Sequence, residues 1–237
     1  MRQSLLTGTL VLSVASFTNK IMGFVYQVFL IRLIQTEGIG LFTMVYPLYV
    51  LALVIASLGI PVAIARLVAD AAAKSDFETV RRLMRLSLGL TAIVSLLVTG
   101  AGVALAPVVT AKIICNPATY LPFVCLLPGI FIVSLCSVFR GFFQGLQSMT
   151  PTATSQMLEQ AVRVVAGLIL ASLFLPHGVV AAACGASLGV VCGECAGFLL
   201  MLAYFSRNYR FLPPRQVIFS GSPLLRESFL PSPYLLP

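Results

Sequence analysis

Four ionisable side chains stand where so apolar a chain is expected to carry none. Lys20, Glu159, Arg163 and Glu194 each interrupt a long hydrophobic stretch, and a charge within hydrocarbon is costly enough to be a functional candidate by default. An ammonium at Lys20 facing a water-filled cavity holds an anionic group such as a phosphate; the plainer reading pairs it with a buried acid. Glu159 and Arg163 are four residues apart, so on a helix they share a face and can pair. They form either an internal clasp or part of a polar cavity wall with Gln156 and Gln160. Glu194 is a proton or cation site, or the partner of Lys20 or Arg163. Arg66 and Asp70 repeat the four-residue spacing at the end of a hydrophobic stretch, where a solvated pair is expected.

Other chemistries find little support. The sequence holds no nucleophile–base–acid set, no Walker pattern and no glycine-rich phosphate loop, which disfavours an enzyme. Of the cysteines Cys115, Cys125, Cys136, Cys184, Cys192 and Cys195, all but one lie in apolar stretches, where Cys behaves as a small hydrophobe. Cys192-Gly-Glu-Cys195 has the spacing of a redox motif without its βαβ context. With His177 the single histidine, neither a metal site nor a cofactor is expected. The formal charge of +8 is scattered, with no basic run or aromatic interleaving to suggest nucleic acid.

These residues must be positioned by helices. Of 237 residues 59% are hydrophobic and 9% charged, with a mean hydropathy of +1.03. Apolar stretches at 5–31, 41–67, 86–109, 120–139, 154–175 and 179–205 are each long enough for a membrane span, which needs about 20 residues. The fold expected is all-α: a polytopic membrane protein whose six transmembrane helices form one lobe over 1–210. A Ser- and Pro-rich segment, 211–237, is a cytoplasmic tail or the truncated start of a seventh helix. A turn is expected at Glu37-Gly-Ile-Gly40, and breaks are expected at Gly59-Ile-Pro61 within the second span and at Pro128-Gly129 within the fourth. Polar connectors are expected at 70–85, 112–119 and 140–151. Asn19 and Lys20 lead straight into further apolar sequence without a cleavage site, so the N-terminus reads as a long span and not a leader. Arg2, Lys74, Arg81, Arg82, Arg85, Arg140, Arg207, Arg210 and Arg215 fall on one side, against Arg32 and Lys112 on the other. By the positive-inside rule both termini are cytoplasmic. Gly185, Gly189, Gly193 and Gly197 recur every four residues, and small residues at that spacing let helix backbones approach closely. They serve packing within the chain or self-association.

Three stretches are recognisable. Arg140-Gly-Phe-Phe-Gln-Gly-Leu-Gln-Ser-Met-Thr-Pro, continuing to Glu159 and Arg163, resembles a signature of the polysaccharide and lipid-linked-precursor flippases, and within them the stage V sporulation protein B-like group. Lys20-Ile-Met-Gly-Phe, and Glu37-Gly-Ile-Gly-Leu through Leu58-Gly-Ile-Pro-Val-Ala, agree in register. The resemblance implies a MATE/MOP-type exporter in the bacterial plasma membrane, with two six-helix lobes facing each other in a V. Alternating access would carry the saccharide headgroup of a peptidoglycan, polysaccharide or spore-envelope precursor across while its lipid tail stays in the bilayer. Lipid II flippases place a basic residue where Lys20 stands and another about six positions on, where this chain has Tyr26, so the substrate stays open. The implied substrate contacts are Lys20, Glu159, Arg163 and Glu194; the implied partners are the lipid-linked saccharide, membrane lipid, and a second lobe or a second copy meeting the glycine row. One lobe is expected to transport nothing alone. The alternatives are a cation-coupled multidrug exporter centred on Glu194, and a non-transporting membrane scaffold docking a partner on the glycine row.

Overall fold

The computed structural model describes residues 5–209 apart from Leu58 and Ser75, and within them all regular structure is helical. The segment 211–237, with Arg2, Arg210 and Arg215, lies outside the described residues. Six long helices follow in order: α1 (Leu5–Ser57), α2 (Ile60–Ala73), α3 (Phe77–Val108), α4 (Tyr120–Gly145), α5 (Thr150–Phe174) and α6 (Val179–Tyr209). Five helical stretches are long and apolar enough to cross a membrane, and the first, Gly8–Ala73, is 66 residues long.

That first stretch is far longer than the about 20 residues that one crossing needs. It is broken once within α1, at Gln35 (φ 59, ψ −179), a left-handed conformation uncommon for a side-chain-bearing residue. The break falls two residues before the expected turn, and Glu37–Gly40 is helical. The limbs on either side of Gln35 pack mostly with different partners, Ile39 of the second limb joining the cluster of the first. Tyr26, Leu30 and Ile34 pack with Ala171 of α5 and Ala182 and Ala186 of α6. Val45, Tyr49 and Ala56 pack with Ala106 of α3 and Phe123, Leu126 and Leu127 of α4. The next break is where the sequence put it: Gly59 has φ 73, and Pro61 sits in the first turn of α2, where its missing amide hydrogen is no loss.

Two expectations about glycine and proline are overturned. Helix α4 runs through Pro128-Gly129 without interruption, and on to Gly145, so only 146–149 connects it to α5 and Arg140 is no loop residue. The glycines are contact points instead of turns. A Cβ on Gly141 would stand 2.6 Å from the Pro61 carbonyl oxygen, and one on Gly145 2.6 Å from that of Ala65, so α2 lies backbone-close against α4. A Cβ on Gly129 would stand 2.7 Å from the Tyr49 hydroxyl and would overlap the Glu194 carboxylate. The anticipated connector over 70–85 is also shorter. Helix α3 starts at Phe77, capped by Asp76, which accepts from the Thr79 hydroxyl at 2.6 Å and the Thr79 amide at 3.0 Å. Those bonds, the hydroxyl's first, hold the Asp76 carboxyl below its ordinary range.

The glycine row of α6 is taken by α5. A Cβ at Gly185 would meet the Leu170 carbonyl at 2.5 Å, one at Gly193 the Glu159 carbonyl at 2.5 Å, and one at Gly189 would overlap Gly167. This is the packing within the chain that the spacing suggested, and the α5 helix occupies the face that self-association through Gly185, Gly189, Gly193 and Gly197 would need.

Candidate functional site

Three of the four singled-out residues meet. Glu159 on α5 accepts from Arg140 Nη2 on α4 at 2.7 Å and from Arg163 Nη2, one turn further along α5, at 2.9 Å. Arg163 Nη2 also lies 3.9 Å from Glu194 Oε1 on α6, which accepts a hydrogen bond from the Tyr49 hydroxyl on α1. Glu194 is 3% exposed. Two guanidinium and two carboxyl groups thus compensate one another and tie α1, α4, α5 and α6 together. The network retains hydrogen-bonding capacity, since Glu194 Oε2, Arg140 Nε and Arg163 Nε are buried without partners. Among the described residues, no group of three or more His, Cys, Asp or Glu is placed to hold a metal ion.

Arg163 also reaches a half-open cavity of about 330 Å³ lined by both limbs of α1, by Gln160 and Arg163 of α5 and by Val190 of α6. Gly23, Tyr26, Gln27 and Leu30 line it from one limb; Ile39, Phe42, Thr43, Tyr46 and Pro47 line it from the other. The break at Gln35 therefore makes this cavity, by bringing the two limbs to face one space.

Lys20 stands elsewhere. It is exposed on a groove that it lines with Gly8, Thr9, Leu12, Ser13, Ser16, Phe17 and Met149, and it is not part of the ion-pair network. The paired-lysine alternative, with Glu194 as its partner, is thereby overturned: Glu194 is held by Tyr49 and Arg163.

The exposed surface of α1 carries a further signal. Thr9, Ser13, Ser16, Lys20, Gly23 and Gln27 recur at alternating intervals of four and three, so they share one helix face, and all but half-buried Gly23 are exposed. Leu10, Val14, Phe17, Ile21, Phe24, Val28 and Ile31 recur in the same rhythm one residue later and are also exposed. A helix surrounded by lipid has no use for the first stripe, and one surrounded by water has none for the second. α1 thus carries neighbouring polar and apolar stripes, two surfaces of opposite character on one exposed helix. Reading ionisable residues singly missed this stripe, though the spacing was present in the sequence. Tyr49 and Arg140 were missed as members of the network, the first as one aromatic in an apolar run and the second as a presumed loop residue.

With all regular structure helical among the described residues and five stretches long and apolar enough to cross a membrane, this is a multi-pass membrane protein. It superimposes with a TM-score of 0.69 on an outward-facing multidrug resistance MATE family transporter of the MOP superfamily, at 16% identity over 84% of this chain and 45% of that one. A MOP superfamily transporter from Pyrococcus furiosus gives 0.65 at 18% identity, over 88% of this chain and 48% of that one. The chain belongs to the polysaccharide biosynthesis protein family, whose sequence profile matches residues 5–236. Among its relatives, Stage V sporulation protein B of Bacillus subtilis (strain 168) is 38% identical over 204 residues, 86% of this chain and 39% of the relative. Lipid II flippase MurJ of the same organism is 30% identical over 227 residues, 88% of this chain and 40% of the relative. The chain thus spans about two fifths of the length of these relatives.

Proposed function

We propose that this chain is one lobe of a flippase that moves a lipid-linked saccharide across the bacterial plasma membrane by alternating access. The observation carrying this reading is Lys20: an exposed cation at the middle of a polar stripe on a helix otherwise clothed for lipid. From Thr9 to Gln27 the stripe rises about 27 Å, close to the about 30 Å thickness of the hydrocarbon core. A headgroup following that stripe stays in water while its apolar tail stays beside Leu10, Val14 and Phe24. Lys20 holds the phosphate, and the Arg140–Glu159–Arg163–Glu194 network braces the wall from behind. Similarity to a lipid II flippase supports the substrate class.

In this reading the break at Gln35 separates two crossings, so residues 1–210 cross six times and both termini are cytoplasmic. A second lobe supplies the facing wall, and the chain transports nothing without it. A cation-coupled exporter centred on Glu194 is less favoured, because that carboxylate is already engaged by Tyr49 and Arg163. The scaffold reading loses its docking face to α5. The test is complementation of a deletion strain by the full-length protein. Lys20→Ala abolishes it at normal protein level and Lys20→Arg retains it; full complementation by Lys20→Ala removes the role assigned to the lysine.

A further inference from the structure

We propose that the cavity between the two limbs of α1 and helices α5 and α6 is a pyranose-binding site that takes the sugar next to the phosphate held by Lys20. The inference rests on reading this lobe as the wall of a lipid-linked saccharide flippase, and it gives the sugar a site of its own. Its volume of about 330 Å³ lies at the small end of the about 300–1,000 Å³ typical of ligand pockets. That admits one part of a headgroup and not an oligosaccharide.

The lining has the chemistry of a sugar. A pyranose offers hydroxyls that donate and accept, around a ring with apolar C–H faces. The Gln27 and Gln160 amides and the Tyr46 hydroxyl can both donate and accept, and the Thr43 hydroxyl, which donates to the Ile39 and Gly40 carbonyls, can still accept. The Phe42 and Tyr46 rings, 5.6 Å apart and tilted by 33°, supply an apolar surface. Tyr26 is only 6% exposed, and its hydroxyl is buried beside Gly167 of α5, where an added Cβ would stand 2.5 Å from it, so it belongs to the packing of the wall and not to the polar lining. The one charge at the wall is already answered: Arg163 Nη2 binds Glu159 and lies near Glu194. The cavity therefore suits a neutral polyol, and the anion is left to Lys20.

Its position fits as well. Lys20, Gly23 and Gln27 follow one another on a single face of α1, and Lys20 and Gln27 are about 10 Å apart along the axis. A phosphate at Lys20 and a ring beside Gln27 are thus separated by roughly the length of one glycosyl phosphate. The lysine groove and the cavity are successive parts of one track.

The chain contains no tryptophan, so Tyr46→Trp places a single, selectively excitable tryptophan in the cavity. The purified chain in nanodiscs is titrated with N-acetylglucosamine, N-acetylglucosamine 1-phosphate and inorganic phosphate, with Phe42→Trp as a second reporter and circular dichroism as a control of folding. The expected result is a saturable change with both sugars and none with phosphate alone. Lys20→Ala weakens the sugar phosphate at least tenfold and leaves the neutral sugar unchanged, whereas Gln160→Leu abolishes both responses. Folded reporters that respond to neither sugar, or a sugar response indifferent to Gln160→Leu, overturn the proposal. Complementation separates the two layers. Loss with Lys20→Ala but full activity with Gln27→Leu and Gln160→Leu leaves the flippase reading standing and removes the sugar site. Full activity of all three removes both.

Discussion

Glu159 is the residue on which two cations depend. Its two oxygens are divided between Arg140 and Arg163, and the three side chains are only 16–17% exposed. Removing one partner of a buried ion pair leaves an uncompensated charge and costs about 3–5 kcal/mol. Glu159→Gln is therefore expected to lower the thermal unfolding midpoint in detergent sharply. Adding Arg140→Met and Arg163→Met recovers part of the loss, because the stranded charges go with it. A midpoint unchanged by Glu159→Gln contradicts the network. At this scale the sequence was partly legible. The spacing of Glu159 and Arg163 announced their pairing, and Arg163 was among the partners considered for Glu194. Arg140 was hidden by its neighbours: Gly141 and Gly145 read as loop glycines because nothing in one sequence tells that α2 presses its backbone against them. Tyr49 was hidden for a similar reason, since its partner lies 145 residues away.

Helix register carries the argument at the scale of elements. Phe139 of α4 stacks beside Phe198 of α6 with ring centroids 6.0 Å apart. Fourteen residues earlier on each helix, about four turns, stand Cys125 and Cys184, which falls to the same faces. Their thiols lie close enough to interact. A chain retaining only these two cysteines is expected to form an intramolecular disulfide under copper phenanthroline, read as protection from maleimide-polyethylene glycol. Labelling of both thiols after oxidation contradicts the α4–α6 register. The glycine row makes the matching point for α5 and α6. Gly189→Leu sets a bulky side chain against Gly167 and is expected to destabilise by more than the about 1–3 kcal/mol of ordinary overpacking, measured as the same unfolding midpoint. Helix existence was legible because apolar length alone demands it. Helix breaks were less so: positive φ at Gly59 suits its residue type, whereas at Gln35 tertiary packing of the two limbs overrides it.

For the whole molecule, the proposed function requires the polar stripe of α1 to meet water and the apolar stripe to meet lipid. With cysteines placed one at a time in a background lacking native ones, Ser13, Ser16 and Gln27 positions are expected to react with a membrane-impermeant maleimide. Val14, Ile21 and Val28 positions are expected to stay unlabelled in intact bilayers. Equal labelling of the two sets removes the water-facing wall. The stripe explains why a chain so rich in apolar residues keeps Thr9, Ser13, Ser16, Lys20 and Gln27 exposed on a membrane helix, and it gives Lys20 a setting that its isolated position in the sequence did not.

The most direct test is binding of a polyprenyl-diphosphate-linked saccharide to the full-length protein, measured by native mass spectrometry. Lys20→Ala is expected to weaken binding at least tenfold, with Lys20→Arg near wild type and folding unchanged in both. Equal affinity of the wild type and Lys20→Ala contradicts the assignment of this helix face to the headgroup.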